Sequence, residues 1–131
     1  MEKLTFTMEN YLEAVYELSQ EGKGARVTDI AEKMGVTKAS ANNAMSVLAD
    51  RGLIINEKYQ EIHLTDAGLK HAKLISEKHH TLELFLIQVL GVETELASQD
   101  ACAIEHVISN DSVDAMRYFL NHRWPQLKEK P

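Results

Sequence analysis

Apolar residues recur at helical spacing from the start of the chain. Met8, Tyr11, Leu12, Val15, Tyr16 and Leu18 mark a first helix, with Thr7 as its expected N-cap. Glu21-Gly22-Lys23-Gly24 breaks the pattern. A second helix is predicted from about Thr28 through Ile30, Ala31 and Met34, closed by Gly35 in a left-handed C-cap. Thr37 is a good N-cap for a third helix running through Ala41, Ala44, Met45 and Leu48 to Asp50-Arg51-Gly52. Two short helices joined by Met34-Gly35-Val36-Thr37 have the spacing of a helix-turn-helix.

The period then changes. Leu53-Ile54-Ile55 and Ile62-His63-Leu64 are short apolar runs flanking a polar tip, Asn56 to Glu61, and predict a β-hairpin. Thr65-Asp66-Ala67-Gly68 opens a long helical stretch to about Leu90, ended by Gly91-Val92. Further helices are predicted over Glu95 to Ser109 and from Asp111-Ser112 to just before Pro125. The fold class read from this order is mainly α: a winged helix-turn-helix DNA-binding domain over 1–65, then a helical segment over 66–131. Leu82, Phe85, Leu86, Val89, Val107, Phe119 and Trp124 exceed what one thin helical layer needs and are expected to include a homodimer interface.

With 131 residues, 44% hydrophobic and 26% charged, the chain is long enough to bury a core and too apolar to be mainly disordered. The longest apolar stretch, Leu84 to Val92, contains Gln88 and falls short of a membrane span. The N-terminus lacks the pattern of a signal peptide, and the single cysteine, Cys102, has no partner for an internal disulfide. The expected compartment is therefore the cytoplasm, with no membrane partner.

Net charge is −6, unevenly distributed: residues 1–21 hold five Glu against one Lys, whereas residues 22–65 hold six basic and five acidic side chains. Acidity overall does not exclude nucleic acid, because a groove contact depends on local charge. The start of the third helix offers Thr37, Lys38, Ala39, Ser40, Asn42 and Asn43 to base edges and phosphates. Arg26 ahead of the second helix suits a phosphate, and Lys58 with Tyr59 at the hairpin tip suits flanking backbone or minor groove.

A second chemistry lies further along. Cys102, Glu105 and His106 sit at i, i+3 and i+4, which a helix places on one face as thiolate, carboxylate and imidazole, a mixed ligand set for a transition metal. Asn10 and Glu13 form an i, i+3 pair on the first helix. His79 and Glu83 form an i, i+4 pair on the long helix, with His80 adjacent. His63, His71 and His122 have no ligand partner at such spacing and read as surface or wing residues; Glu17 reads as part of a solvated face. The competing readings are a winged-helix regulator independent of metal, answering to a small molecule, and a metal-dependent hydrolase. Against the hydrolase, the chain has no nucleophile elbow, phosphate loop or His-Glu-x-x-His helix, and no small-molecule substrate is expected.

Met8-Glu9-Asn10-Tyr11-Leu12-Glu13-Ala14-Val15-Tyr16, Ala25-Arg26-Val27-Thr28-Asp29-Ile30-Ala31, Leu64-Thr65-x-x-Gly68 and Cys102-x-x-Glu105-His106 together resemble the diphtheria-toxin-repressor family, which includes the manganese transport regulators. The resemblance covers nearly the whole chain and implies that 66–131 is a helical metal-binding and dimerisation domain. It implies a homodimer that binds palindromic double-stranded operator DNA when loaded with Mn(II) or Fe(II), represses metal-uptake genes and is not an enzyme. The short length resembles members without an SH3-like domain. It also implies a main metal site at Asn10, Glu13, His79 or His80, Cys102, Glu105 and His106, with His79-x-x-x-Glu83 resembling an accessory site. Manganese-type members carry Asp where this chain has Asn10, and iron-type members carry Met. Glu13 follows the manganese type and Cys102 the iron type. Carboxylates and an amide oxygen suit Mn(II), while a thiolate favours Fe(II), Co(II) or Zn(II).

Overall fold

The computed structural model describes residues 4–20, 23–56 and 61–128. They form two compact units, 1–74 and 75–131. Lys58 and Tyr59, expected to touch DNA, lie outside the described residues.

In the first unit, helix α1 (Phe6–Leu18) begins before its expected start. Thr5 rather than Thr7 is the N-cap, and its Oγ1 accepts a hydrogen bond from the Met8 amide at 3.1 Å. The earlier start brings Leu4 into the core, where burial of apolar area favours it. Helix α2 (Val27–Met34) follows Arg26 and ends on Gly35, whose φ of 68° is the left-handed conformation expected of it. Helix α3 (Lys38–Asp50) is capped by Thr37, whose Oγ1 accepts from the Ser40 amide at 3.1 Å.

Strands β1 (Ile54–Ile55) and β2 (His63–Leu64) pair antiparallel, Ile54 opposite Leu64 and Ile55 opposite His63. A further rung was not read in the sequence: Ala25 and Ile62 exchange backbone hydrogen bonds of 2.8 and 2.7 Å, so the segment ahead of α2 is stitched to the hairpin. Leu12, Val15, Ile30, Met45, Leu48 and Ile62 form the centre of a core that draws on all three helices and the hairpin.

The Thr65-x-x-Gly68 turn fixes where the next helix starts. Thr65 Oγ1 donates to the Gly52 carbonyl at 2.6 Å and accepts from the Gly68 amide at 3.0 Å, while the Thr65 amide bonds to the Leu53 carbonyl. A Cβ on Gly68 would collide with that Leu53 carbonyl, so only glycine lets the helix approach the hairpin base this closely. Helix α4 (Asp66–Leu84) then continues as a π-helical turn, Phe85–Val89, to Gly91 at φ 71°. The division between the units falls inside α4.

The second unit comprises the later part of α4, α5 (Thr94–Ile104), α6 (Asn110–Tyr118), a π-helical turn Phe119–Arg123 and α7 (Trp124–Lys128). Two expectations change. Helix α5 stops at Ile104 instead of Ser109, because Ser109 serves as N-cap of α6, accepting from the Ser112 amide at 3.1 Å. The chain also remains helical through Pro125, which follows directly on the π-helical turn. Ile75, Leu82, Ala97, Ala101 and Val113 are buried, and Phe119 packs between Phe85 and Trp124 with ring centroids 5.9 and 6.4 Å away. Of the apolar residues expected at a dimer interface, Leu82 is already buried within the chain, whereas Val107 is 72% exposed.

Candidate metal centre

Each ligand-bearing side chain is set by the helix that carries it. His79 lies on α4, Cys102 on α5, and Glu105 at the C-cap of α5 in helical conformation, so the i, i+3 relation to Cys102 survives although the regular helix has ended. One donor atom from each of these three residues lies within 4.8 Å of the others. His79 Nδ1 is 3.1 Å from Glu105 Oε2, and His106 Nε2 is 3.2 Å from Glu105 Oε1. Glu105 is 1% exposed and His106 6%, while Cys102 is exposed.

Electrostatics explain why such a group of side chains is unusual. A carboxylate removed from water needs a compensating positive charge or strong donors, and the two imidazoles beside Glu105 can serve it as donors or, with a cation between, as fellow ligands. His79 Nε2 stands 2.8 Å from Glu83 Oε2, a separation suited to an N–H donating to the carboxylate. That tautomer leaves the Nδ1 lone pair on the side of Glu105, and Nδ1 has no hydrogen-bond partner among the described residues. Thiol, carboxylate and an imidazole lone pair converging within 4.8 Å of one another are close enough to share one divalent transition metal.

The remaining candidates separate clearly. His80 is exposed and turns to a cavity of about 300 Å³ lined by Ser76, Glu77, Thr81 and Arg117, so His79 is the histidine that meets Cys102 and Glu105. Asn10 and Glu13 stand one turn apart on α1 in the first unit, both half-buried, and Glu13 Oε2 is buried with no hydrogen-bond partner among the described residues. Glu17 is exposed but paired, 2.8 Å from Lys33 of α2, and its carboxylate raises the Lys33 pKa.

His71, read as a surface residue, is instead half-buried, with Nε2 2.9 Å from Oε2 of the buried Glu9 on α1. The partners are 62 residues apart, so no local spacing signals them.

On the nucleic-acid side, Arg26, Thr37, Lys38, Ala39, Ser40, Asn42 and Asn43 are all exposed. Thr37 donates its hydroxyl to Ser40 Oγ at 3.0 Å in the helix cap. A helix-turn-helix with a hairpin wing, followed by a helical unit holding a His/Cys/Glu cluster, is the layout of a metal-dependent DNA-binding regulator.

Comparison with known proteins gives that layout a family. Residues 3–62 match the N-terminal DNA-binding domain of iron-dependent repressors, and residues 65–127 match their metal-binding and dimerisation domain. The chain belongs to the iron-dependent repressor family. It is 38% identical over 110 residues to the HTH-type transcriptional regulator MntR of Bacillus subtilis, covering 84% of this chain and 77% of that one. An uncharacterized HTH-type transcriptional regulator of Methanocaldococcus jannaschii is 30% identical over 115 residues, covering 87% of this chain and 92% of the relative. Among solved structures, the manganese regulator SloR superposes with a TM-score of 0.76 at 30% identity, over 88% of this chain and 54% of SloR. The chain thus spans about half the length of that structure. No helix among the described residues is long and apolar enough to cross a membrane.

Proposed function

We propose that the protein is a metal-activated transcriptional repressor that binds operator DNA as a homodimer when loaded with Mn(II) or Fe(II), and so controls metal-uptake genes in the cytoplasm. The observation that carries this reading is the convergence of His79, Cys102 and Glu105 donor atoms within 4.8 Å in a chain whose first unit is a winged helix.

The residues act as follows. Glu83 holds His79 in the tautomer that presents Nδ1, Glu105 supplies a buried carboxylate, and Cys102 supplies a soft donor at the exposed edge. By family resemblance, His106 and, from α1, Asn10 and Glu13 complete the ligand set, while His80 stays outside it. A divalent cation, when bound, offsets the carboxylate charge that these residues would otherwise hold together. Ligands drawn from α1 make the orientation of the helix-turn-helix answer to metal, and two recognition helices of a dimer then match major grooves about 34–36 Å apart.

Fluorescence anisotropy on a duplex from upstream of the protein's own gene, at fixed salt, tests the reading. Tight binding is expected with Mn(II) or anaerobic Fe(II), with Zn(II) and Co(II) also able to load the site in vitro. Equal binding in EDTA would leave a metal-independent winged helix and overturn the switch.

A further inference from the structure

The side of α3 that faces away from the core carries a legible chemistry. A helix advances roughly 100° per residue. Ala41, Ala44, Met45 and Leu48 are buried, so the opposite line runs through Ala39, Asn43, Ser46 and Asp50. Asn42 and Val47 flank that line, and all six side chains are exposed, Val47 by 41%.

Major-groove edges differ in what they accept. Guanine offers two acceptors, O6 and N7, which call for an arginine or lysine fork. Adenine offers an acceptor and a donor, N7 and N6, which match one amide, and thymine offers a methyl group to small apolar side chains. The outward line of α3 has an amide at its centre, a methyl group at Ala39 and no arginine, and Val47 adds methyl groups on its flank. The single cation of the helix, Lys38, is at its first position, off the outward line, where a phosphate contact suits it. Asp50, at the far end, has acceptors only, and recognition helices read bases with their N-terminal residues.

We propose that α3 reads an A·T-rich half-site. The Asn43 amide donates to adenine N7 and accepts from adenine N6–H, while the methyl groups of Ala39 and Val47 pack on neighbouring thymine methyls. The assignment rests on the reading of the chain as a DNA-binding repressor and adds the chemistry of its operator.

Selection from a random duplex pool with the Mn(II)-loaded full chain tests it, using wild type and Asn43→Ala. Wild type is expected to enrich half-sites with a fixed adenine beside thymines, and Asn43→Ala to lose preference at that adenine alone. On the enriched duplex, 7-deazaadenine at that base should weaken wild type about 5- to 150-fold and leave Asn43→Ala unchanged. Deoxyuridine in place of the neighbouring thymines, which removes only their methyl groups, should weaken wild type as well. Because Asn43 is exposed, circular dichroism should show the variant folded. Half-sites fixed by guanine, or an Asn43→Ala selection identical to wild type, would overturn the assignment while leaving the repressor reading intact. Absence of any metal-dependent DNA retention would overturn both.

Discussion

Glu105 is a carboxylate with 1% of its surface exposed, next to two imidazoles. Replacing it with the isosteric glutamine removes the charge and keeps the volume. Glu105→Gln should therefore stay folded by circular dichroism while metal affinity collapses in a Mn(II) titration. On the proposed reading, Cys102 sets which metal is preferred more than whether any binds. Cys102→Ser should lower Co(II) and Zn(II) affinity more than Mn(II) affinity, and it should abolish the near-ultraviolet thiolate band of the Co(II) form. An unchanged selectivity series would remove the thiolate from the ligand set. If Glu83 acts through His79, as proposed, Glu83→Gln should cost about 10- to 100-fold in metal affinity, read by competition with a chelating dye. Most of this cluster was legible because its members lie three and four residues apart on helices, a relation that spacing alone encodes. The Glu9–His71 pair was illegible because only the tertiary fold brings α1 and α4 together.

At the level of elements, helix caps and glycine positions were the readable part. Gly35 and Thr37 do in the structure what their types predict, and the period change at Leu53 to Leu64 became a hairpin. The mistakes came where two residues compete for the same job. Thr5 and Thr7 can both cap α1, and the burial of Leu4 decides between them. Ser109 and Asp111 can both open the next helix, and the choice of Ser109 shortens α5. Pro125 read as a terminator because proline usually is one, but the backbone stays helical from Phe119 through Lys128. Gly68 offers the sharpest test at this scale. Gly68→Ala should cost roughly 1–3 kcal/mol, because the added methyl meets the Leu53 backbone rather than a movable side chain; thermal or urea unfolding measures it. Thr37→Ala should lower stability by about 0.5–2 kcal/mol through loss of the α3 cap.

For the whole molecule, a metal that favours the DNA-bound form must itself be held more tightly when DNA is present, by the same factor. Mn(II) titrations with and without operator should therefore show the coupling that anisotropy shows with and without Mn(II). A chain in this family is also expected to be a dimer, and sedimentation at micromolar concentration would reveal a monomer if it is not. One feature of the architecture limits how the chain can be cut or recombined. The first unit does not finish where the hairpin finishes: Ala72 belongs to its core, and His71 bonds to Glu9 inside it, both contributed by α4. A gene fragment ending at residue 65 would lack both, and should fold poorly, whereas one ending at Leu74 keeps them. Exchanging halves with a relative at the start of α4 would likewise give Glu9 a stranger's side chain, so the natural seam for a chimera lies two helical turns further along.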